Sequence, residues 1–393
     1  MKYKKTFWLI ICLSLIVNFS FIISDRNVKE FWISNFINKP TKSDLNKNTL
    51  KFYDAHLFSI NGKYHNEPGF LRLPVKFKKK LLQEVWGMSR LSSGLNIHFT
   101  TNSTSIFVKW KLGMNIKKVN MTRIGSGGVD LYCKKNGFWQ FVNAAGPNAD
   151  GESFKELISN MDTGFKEFLI YFPLFDEVTN FEIGILKTAI IKRNMPSQKG
   201  AIAFYGTSIT QGSSASRPGL AYPSILSRAL NIPVYNFGIA GHGKFNLEFA
   251  NILCETNAKL FVLDCVPNAT PELIRERALP LILKLHKQKP SIPILLMESI
   301  TRENTYFERK DTMLNDGFKY IESQNQMLSL TFDEARRIGI NNIYYLKGEG
   351  LIGYDHEGTI DGTHLTDIGF SRMAEKVKVK VQEIFKKEYP NSR

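Results

Sequence analysis

AIAFYGTSITQG (201–212) runs from an uncharged apolar stretch into a glycine, a hydroxyl-rich turn and a second glycine. Residues 201–205 read as a buried strand, and a strand that ends in Gly-x-Ser delivers a hydroxyl to the edge of a sheet. The strand-to-helix elbow that carries many nucleophilic serines is G-x-S-x-G, whereas position 210 here is Thr. Serine is also a common turn residue. Whether Ser208 is a nucleophile or part of a polar turn therefore depends on what the rest of the chain brings to it.

Four more apolar runs follow: PVYNF (233–237), KLFVLD (259–264), IPILLME (292–298) and NIYYL (342–346). Helical spacing lies between and after them, as in Tyr222, Ile225, Leu226, Ala229 and Leu230, or Met373, Val377, Val381 and Ile384. Strands alternating with helices predict an α/β domain with a parallel five-stranded sheet covered on both faces. Functional groups in such sheets collect beyond the carboxyl ends of the strands. Polar segments do stand there: NFGIAGHGKFN (236–246), DCVPNAT (264–270) and IDGTHLTDIGF (360–370).

Each segment alone has an ordinary reading. A Gly-rich loop is a turn, Asn268 caps a helix starting at Pro271, and His364 is a surface histidine. Together they hold what ester hydrolysis needs. His364 would take the Ser208 proton, and Asp361 would hold the imidazole in the right tautomer. The Gly241 amide and the Asn268 side chain would face the oxyanion. Ser213 and Ser214 are the substitutes should Ser208 fail. His242, between two glycines, lines a substrate pocket or closes a turn, and Glu298, ending the fourth strand, is a further candidate for substrate contact.

The preceding half has another rhythm. From about 50 to 195 come short β-type runs: HLFSI (56–60), LNIHFTT (95–101), SIFVKWKL (105–112), VDLYCKK (129–135), FWQFVNA (138–144), EFLIYFPLF (167–175) and NFEIGIL (180–186). Turn clusters separate them, which predicts an all-β sandwich of jelly-roll type. Expected boundaries are a signal peptide or anchor at 1–24, a polar linker at 25–49, the sandwich at 50–195 and the α/β domain at 196–393. Lys2, Lys4 and Lys5 precede eighteen uncharged residues, 7–24, which marks the chain for export. A cleaved leader and a membrane anchor both fit.

The formal charge is +16, from 52 Lys and Arg against 36 Asp and Glu. It is dispersed, and no nucleic-acid motif accompanies it, so a solvated basic surface is expected and no nucleic-acid partner. The four cysteines, one of them Cys12 in the apolar segment, form no disulfide framework. No metal spacing and no cofactor motif occur, so no metal and no cofactor are expected.

GTSITQG, the glycine of GIAGHG, the asparagine of CVPNA and DGTH resemble the four blocks of the SGNH (GDSL-type) hydrolases. GGVDLY (127–132) is similar to the G-x-D-L-Y signature of a β-sandwich found ahead of such domains in two-domain bacterial esterases. The resemblance implies a three-layer αβα, flavodoxin-like hydrolase domain. It also implies Ser208, Asp361 and His364 as the triad, and Ser208, Gly241 and Asn268 as the oxyanion hole. Two departures stand out: Thr207 replaces the usual Asp before the serine, and VPN replaces Gly-x-Asn. The expected substrate is a small acyl ester or an acetylated carbohydrate outside the cytoplasm. A lysophospholipase or thioesterase is the enzyme alternative, and a non-catalytic carbohydrate- or surface-binding protein is the other.

Overall fold

Alternation builds the first body. In the strand Ile106–Leu112 the side chains of Ile106, Val108, Trp110 and Leu112 are buried, while Lys109 and Lys111 point outward. The computed structural model describes residues 49–195, 200–308 and 317–390. The apolar segment 7–24 and nearly all of the expected linker 25–49 lie outside the described residues.

Two antiparallel sheets face each other in this half. One contains β1 (Leu50–Asp54), β4 (Ile106–Leu112), β7 (Glu152–Ile158) and β9 (Val178–Leu186), in the order β1-β9-β4-β7. The other contains β2 (Ser59–Asn61), β3 (Asn96–Thr101), β5 (Val129–Lys135), β6 (Phe138–Ala145), β8 (Lys166–Tyr171) and β10 (Ile191–Arg193), ordered β10-β3-β8-β5-β6 with β2 on β3. Phe99, Trp110, Phe168, Phe172 and Phe181 fill the space between them. Two short helices, α1 (Gln83–Ser89) and α2 (Arg123–Gly127), interrupt the strands.

The sequence reading departs from these strands in five places, two of them β1 and β10, which are not among the runs picked out above. HLF of HLFSI is a turn of 3-10 helix, because the Asp54 side chain accepts the His56 amide, and β2 begins only at Ser59. EFLIYFPLF stops being a strand at Tyr171, two residues before Pro173, which has no amide for a ladder. β7 was not expected, since half-exposed Lys155 and Glu156 blur its alternation.

The second body is the expected parallel sheet. It contains β11 (Ala201–Gly206), β12 (Val234–Gly238), β13 (Ala258–Asp264), β14 (Ile294–Met297) and β15 (Ile343–Leu346), ordered β12-β11-β13-β14-β15. That 2-1-3-4-5 order is flavodoxin-like. Every residue of β11 is buried, as a strand covered on both faces requires. A single helical turn, α3 (Ser208–Gln211), follows β11 at once, and the loop 212–219 then leads to α4 (Tyr222–Leu230). One face carries α5 (Glu248–Glu255), α6 (Pro271–Gln288) and α7 (Gly317–Arg337); the other carries α4 and α8 (Asp367–Glu388). The chain is thus a three-layer αβα domain preceded by a β-sandwich.

Both bodies belong to one compact unit, Lys51–Arg393, and polar clamps join them. Arg72, 1% exposed, donates to the carbonyls of Asn236 and Gly238, each at 2.8 Å, and of Met88 at 2.6 Å. Burial lowers its pKa to about 9. It thereby satisfies carbonyls at the end of β12, where the Gly-rich loop begins. The GGVDLY motif acts similarly. Buried Asp130 accepts Arg217 Nη1 at 2.8 Å and the Gly219 amide at 2.9 Å, and the Tyr132 hydroxyl also meets Arg217. Arg228 lies over the Tyr132 ring, 4.0 Å from its centroid.

Candidate active site

Ser208 occupies the first helical position of α3, directly after the Thr207 that follows β11. Thr207 is the N-cap: its hydroxyl accepts the Ile209 amide at 3.3 Å. Thr210, which replaces the second glycine of an elbow, completes a capping box by accepting the Thr207 amide at 3.2 Å. Its hydroxyl also donates to Asp264 Oδ2 at 2.6 Å, and Tyr222 OH donates to the same oxygen at 2.9 Å. Asp264 is buried at the end of β13, and burial pushes its carboxyl up to about 6 against these two bonds. The departures at 207 and 210 are therefore two halves of one cap.

His364 comes from the loop after β15. Its Nε2 lies 3.0 Å from Ser208 Oγ, and its Nδ1 lies 2.7 Å from Asp361 Oδ2. A carboxylate only accepts, so Nδ1 carries the proton and Nε2 is left to accept the serine hydroxyl. The short hairpin is held shut by Ile360 N to His364 O at 2.8 Å and by the Thr359–Leu365 bridge. Asp361 Oδ1 accepts the amides of Thr363 at 3.1 Å and His364 at 2.8 Å. Burial opposes ionisation of Asp361, but the hydrogen bonds from the His364 amide and ring outweigh it, and the carboxyl is lowered to about 2.

The three donors expected to form the oxyanion hole have no partner among the described residues. The Ser208 amide heads α3 and has none. Gly241, at φ +74°, has a free amide, and a Cβ placed there would meet nothing within 4 Å. Asn268 Nδ2 is buried with no acceptor. Asn268 sits in the 3-10 turn Val266–Asn268, and the cap of α6 is Thr270, whose hydroxyl accepts the Leu273 amide. The capping role that competed for Asn268 is thus taken by another residue. An unsatisfied buried amide calls for an acceptor, and an oxyanion would be one.

The two remaining candidates differ. The His242 amide donates to Ile239 O at 3.0 Å and closes the turn, while its ring has no hydrogen-bond partner among the described residues. Glu298 is fully engaged: Oε1 accepts Tyr345 OH at 2.6 Å and Oε2 accepts the Gly348 amide at 2.8 Å, which ties β14 to β15. Among the described residues no hydrogen bond or ion pair joins it to Ser208, His364 or Asp361. Sequence reasoning missed Asp264, Tyr222 and Asn120, whose Nδ2 lies 3.4 Å from Asp361 Oδ2. None of these stands in a distinctive motif, and only the fold brings them near.

Cys133, Cys254 and Cys265 are all free, so Cys254 and Cys265 do not pair. Among the described residues no group of three or more His, Cys, Asp or Glu is placed to hold a metal ion, and no helix is long and apolar enough to cross a membrane.

The fold and this constellation define a carboxylic ester hydrolase of α/β architecture. Residues 199–382 match the GDSL-like lipase/acylhydrolase family, and residues 50–191 match the domain described as the N-terminus of SGNH hydrolase-type esterases. A Bacteroides ovatus protein described as a GDSL-like lipase is 36% identical, with a TM-score of 0.81 over 86% of this chain and 98% of its own. The chain belongs to the GDSL-like (SGNH) lipase/acylhydrolase family. The salicylyl-acyltransferase SsfX3 of a tetracycline biosynthetic pathway shares the fold at 16% identity, with a TM-score of 0.69 over 86% of this chain and 95% of its own. A family two carbohydrate esterase from Clostridium thermocellum shares it at 14% identity, with a TM-score of 0.53 over 74% and 92%. A comparison with curated protein sequences gives no match.

Proposed function

We propose that the protein is an exported serine esterase that removes acetyl groups from a carbohydrate. The observation that carries the reading is the line from Ser208 Oγ to His364 Nε2 at 3.0 Å and from His364 Nδ1 to Asp361 Oδ2 at 2.7 Å. In this reading His364 takes the hydroxyl proton as Ser208 attacks the ester carbonyl. The Ser208 and Gly241 amides and Asn268 Nδ2 receive the developing oxyanion. The alcohol leaves with the proton from His364, and water attacks the acyl-serine with His364 again as base. His242, with its free ring beside Gly241, is the candidate for contact with the substrate; Glu298 is a structural bracket.

Two similarities support a sugar ester. The Clostridium thermocellum esterase is described in complex with cellohexaose, and an acetyl xylan esterase from Butyrivibrio proteoclasticus shares the fold at 12% identity with a TM-score of 0.52. The charged leader and apolar segment 7–24 support export, by a cleaved peptide or an anchor.

The test is acetate release from a panel of acetylated glycans, with Ser208→Ala as the blank. Release that Ser208→Ala abolishes, with the fold intact, bears the reading out. Activity surviving in that variant overturns it and directs attention to Ser213 or Ser214. A chain-length series separates the enzyme alternatives: a deacetylase falls off beyond propionyl, whereas a lysophospholipase or thioesterase gains. Absence of covalent labelling by a fluorophosphonate would mark a binding protein.

A further inference from the structure

Two hydrogen-bonded paths leave one turn of the sandwich. Asn120 Nδ2 lies 3.4 Å from Asp361 Oδ2. Two residues on, Thr122 Oγ1 donates to Ser216 O at 2.5 Å, and the Ser216 amide donates to Asp367 Oδ1 at 2.9 Å. Ser216 lies in the loop that leaves the Ser208 turn, and Asp367 is the first residue of α8, three positions after His364. The turn 120–122 therefore meets the carboxylate directly and also ties the serine loop to the histidine segment.

The chain is anchored on either side of this turn. Buried Asp176 accepts the amides of Met114 at 3.0 Å and Ile116 at 2.6 Å. Arg123 donates to Ile116 O at 2.7 Å and to Asn115 Oδ1 at 2.5 Å. A Cβ on Gly125 would come within 2.2 Å of Ala215 O, so the sandwich backbone lies directly against the serine loop. Ordering a surface loop costs conformational entropy, and the return on such ordering is a fixed geometry where the loop ends.

We infer that Asn120 is a positioning residue for the Asp361–His364 pair, and that the turn 120–122 makes the sandwich an integral part of the ester-cleaving site. The inference rests on Ser208, His364 and Asp361 being the reacting groups. Two backbone amides hold Asp361 Oδ1, whereas among the described residues Oδ2 has hydrogen-bond partners only in the His364 ring and Asn120. Asn120 thus fixes the oxygen that orients the imidazole, from a domain that contributes no reacting atom.

The experiment compares Asn120→Ala, Asn120→Leu and the isosteric Asn120→Asp with the parent on p-nitrophenyl acetate, an ester with no glycan. Thermal midpoints are measured alongside, and Ser208→Ala is the blank. The expected result is a kcat roughly tenfold lower in Asn120→Ala, the scale of one hydrogen bond to a charged group, with KM and midpoint unchanged. Asn120→Asp should fall further, because a second carboxylate then faces Asp361. Asn120→Leu, which keeps the bulk and removes the donor, should fall as Asn120→Ala does, whereas a residue that only filled space would tolerate it. If Asn120→Ala lowers the midpoint, Asn120→Leu decides on the same kcat criterion. Unchanged kcat overturns the inference, and so does an effect confined to the KM of an acetylated glycan, which would make Asn120 a wall of the substrate cleft. Turnover by Ser208→Ala would defeat the functional reading itself, whatever Asn120 does.

Discussion

Thr210 and Asp264 are joined at 2.6 Å beneath the Ser208 turn, so the residue that replaces the elbow glycine is anchored to the neighbouring strand. The carboxyl lies at the end of β13 and also receives Tyr222 OH from α4. Three elements thus fix the helical turn that presents Ser208.

The elevated Asp264 carboxyl has a consequence for stability. Its pKa rises from 3.8 to about 6 on folding, because burial outweighs the two hydrogen bonds. The folded protein then holds this proton more tightly than the unfolded chain does. The contribution is complete below about pH 3.8 and is lost as pH rises to about 6. Asp264→Asn should remove that slope, so its stability relative to the parent improves between pH 4 and 6 in denaturant melts. Asp264→Ala, which strands the Thr210 and Tyr222 hydroxyls, should cost about 1–3 kcal/mol or more.

Asp361 works in the opposite sense. Its carboxyl falls from 3.8 to about 2 through hydrogen bonds that prevail over burial, so the stabilisation is present above about pH 4 and disappears as pH drops toward 2. Asp361→Asn should flatten acid unfolding in that window. It should also lower kcat by about 10⁴, because an amide in place of the carboxylate favours the wrong imidazole tautomer. Melts from pH 2 to 5 and steady-state kinetics read the two effects separately.

Asn268→Ala should reduce kcat by about 10²–10³ while leaving KM for a small ester nearly unchanged, the signature of a donor used only in the transition state. Its stability should hold or rise, because the Nδ2 that is lost has no partner in the folded protein. A parallel loss of stability would make Asn268 a structural residue.

Arg217→Ala tests the clamp built by the GGVDLY motif. It leaves the Asp130 carboxyl, fully buried, without its cationic partner. Removing one member of a buried pair typically costs about 3–5 kcal/mol. Chemical denaturation should show a loss of that size, and Asp130→Asn combined with Arg217→Ala should recover part of it.

The parallel sheet was legible because β11 to β15 are apolar runs set between helical spacings. Burial on both faces forces that pattern on any parallel sheet. Ser208, His364 and Asp361 were legible for a related reason, since each follows a strand, where this fold exposes side chains to one crevice. Asn120 was not: it is one asparagine in a Lys-rich turn, 241 residues from Asp361 along the chain. Glu298 shows the converse case. Its place at a strand end was right, but its oxygens are taken by Tyr345 and Gly348.

The residues themselves thus marked the candidate side chains for the chemistry, because strand ends, glycine turns and the Asp-x-x-His spacing are local features. Only the tertiary structure decided how those side chains are held. Asp264, Arg72, Asp130 and Asn120 act through partners far away in sequence, at distances of a few ångströms. Such contacts are made by tertiary packing, within the α/β domain for Asp264 and between the two domains for the other three, and no local pattern encodes them.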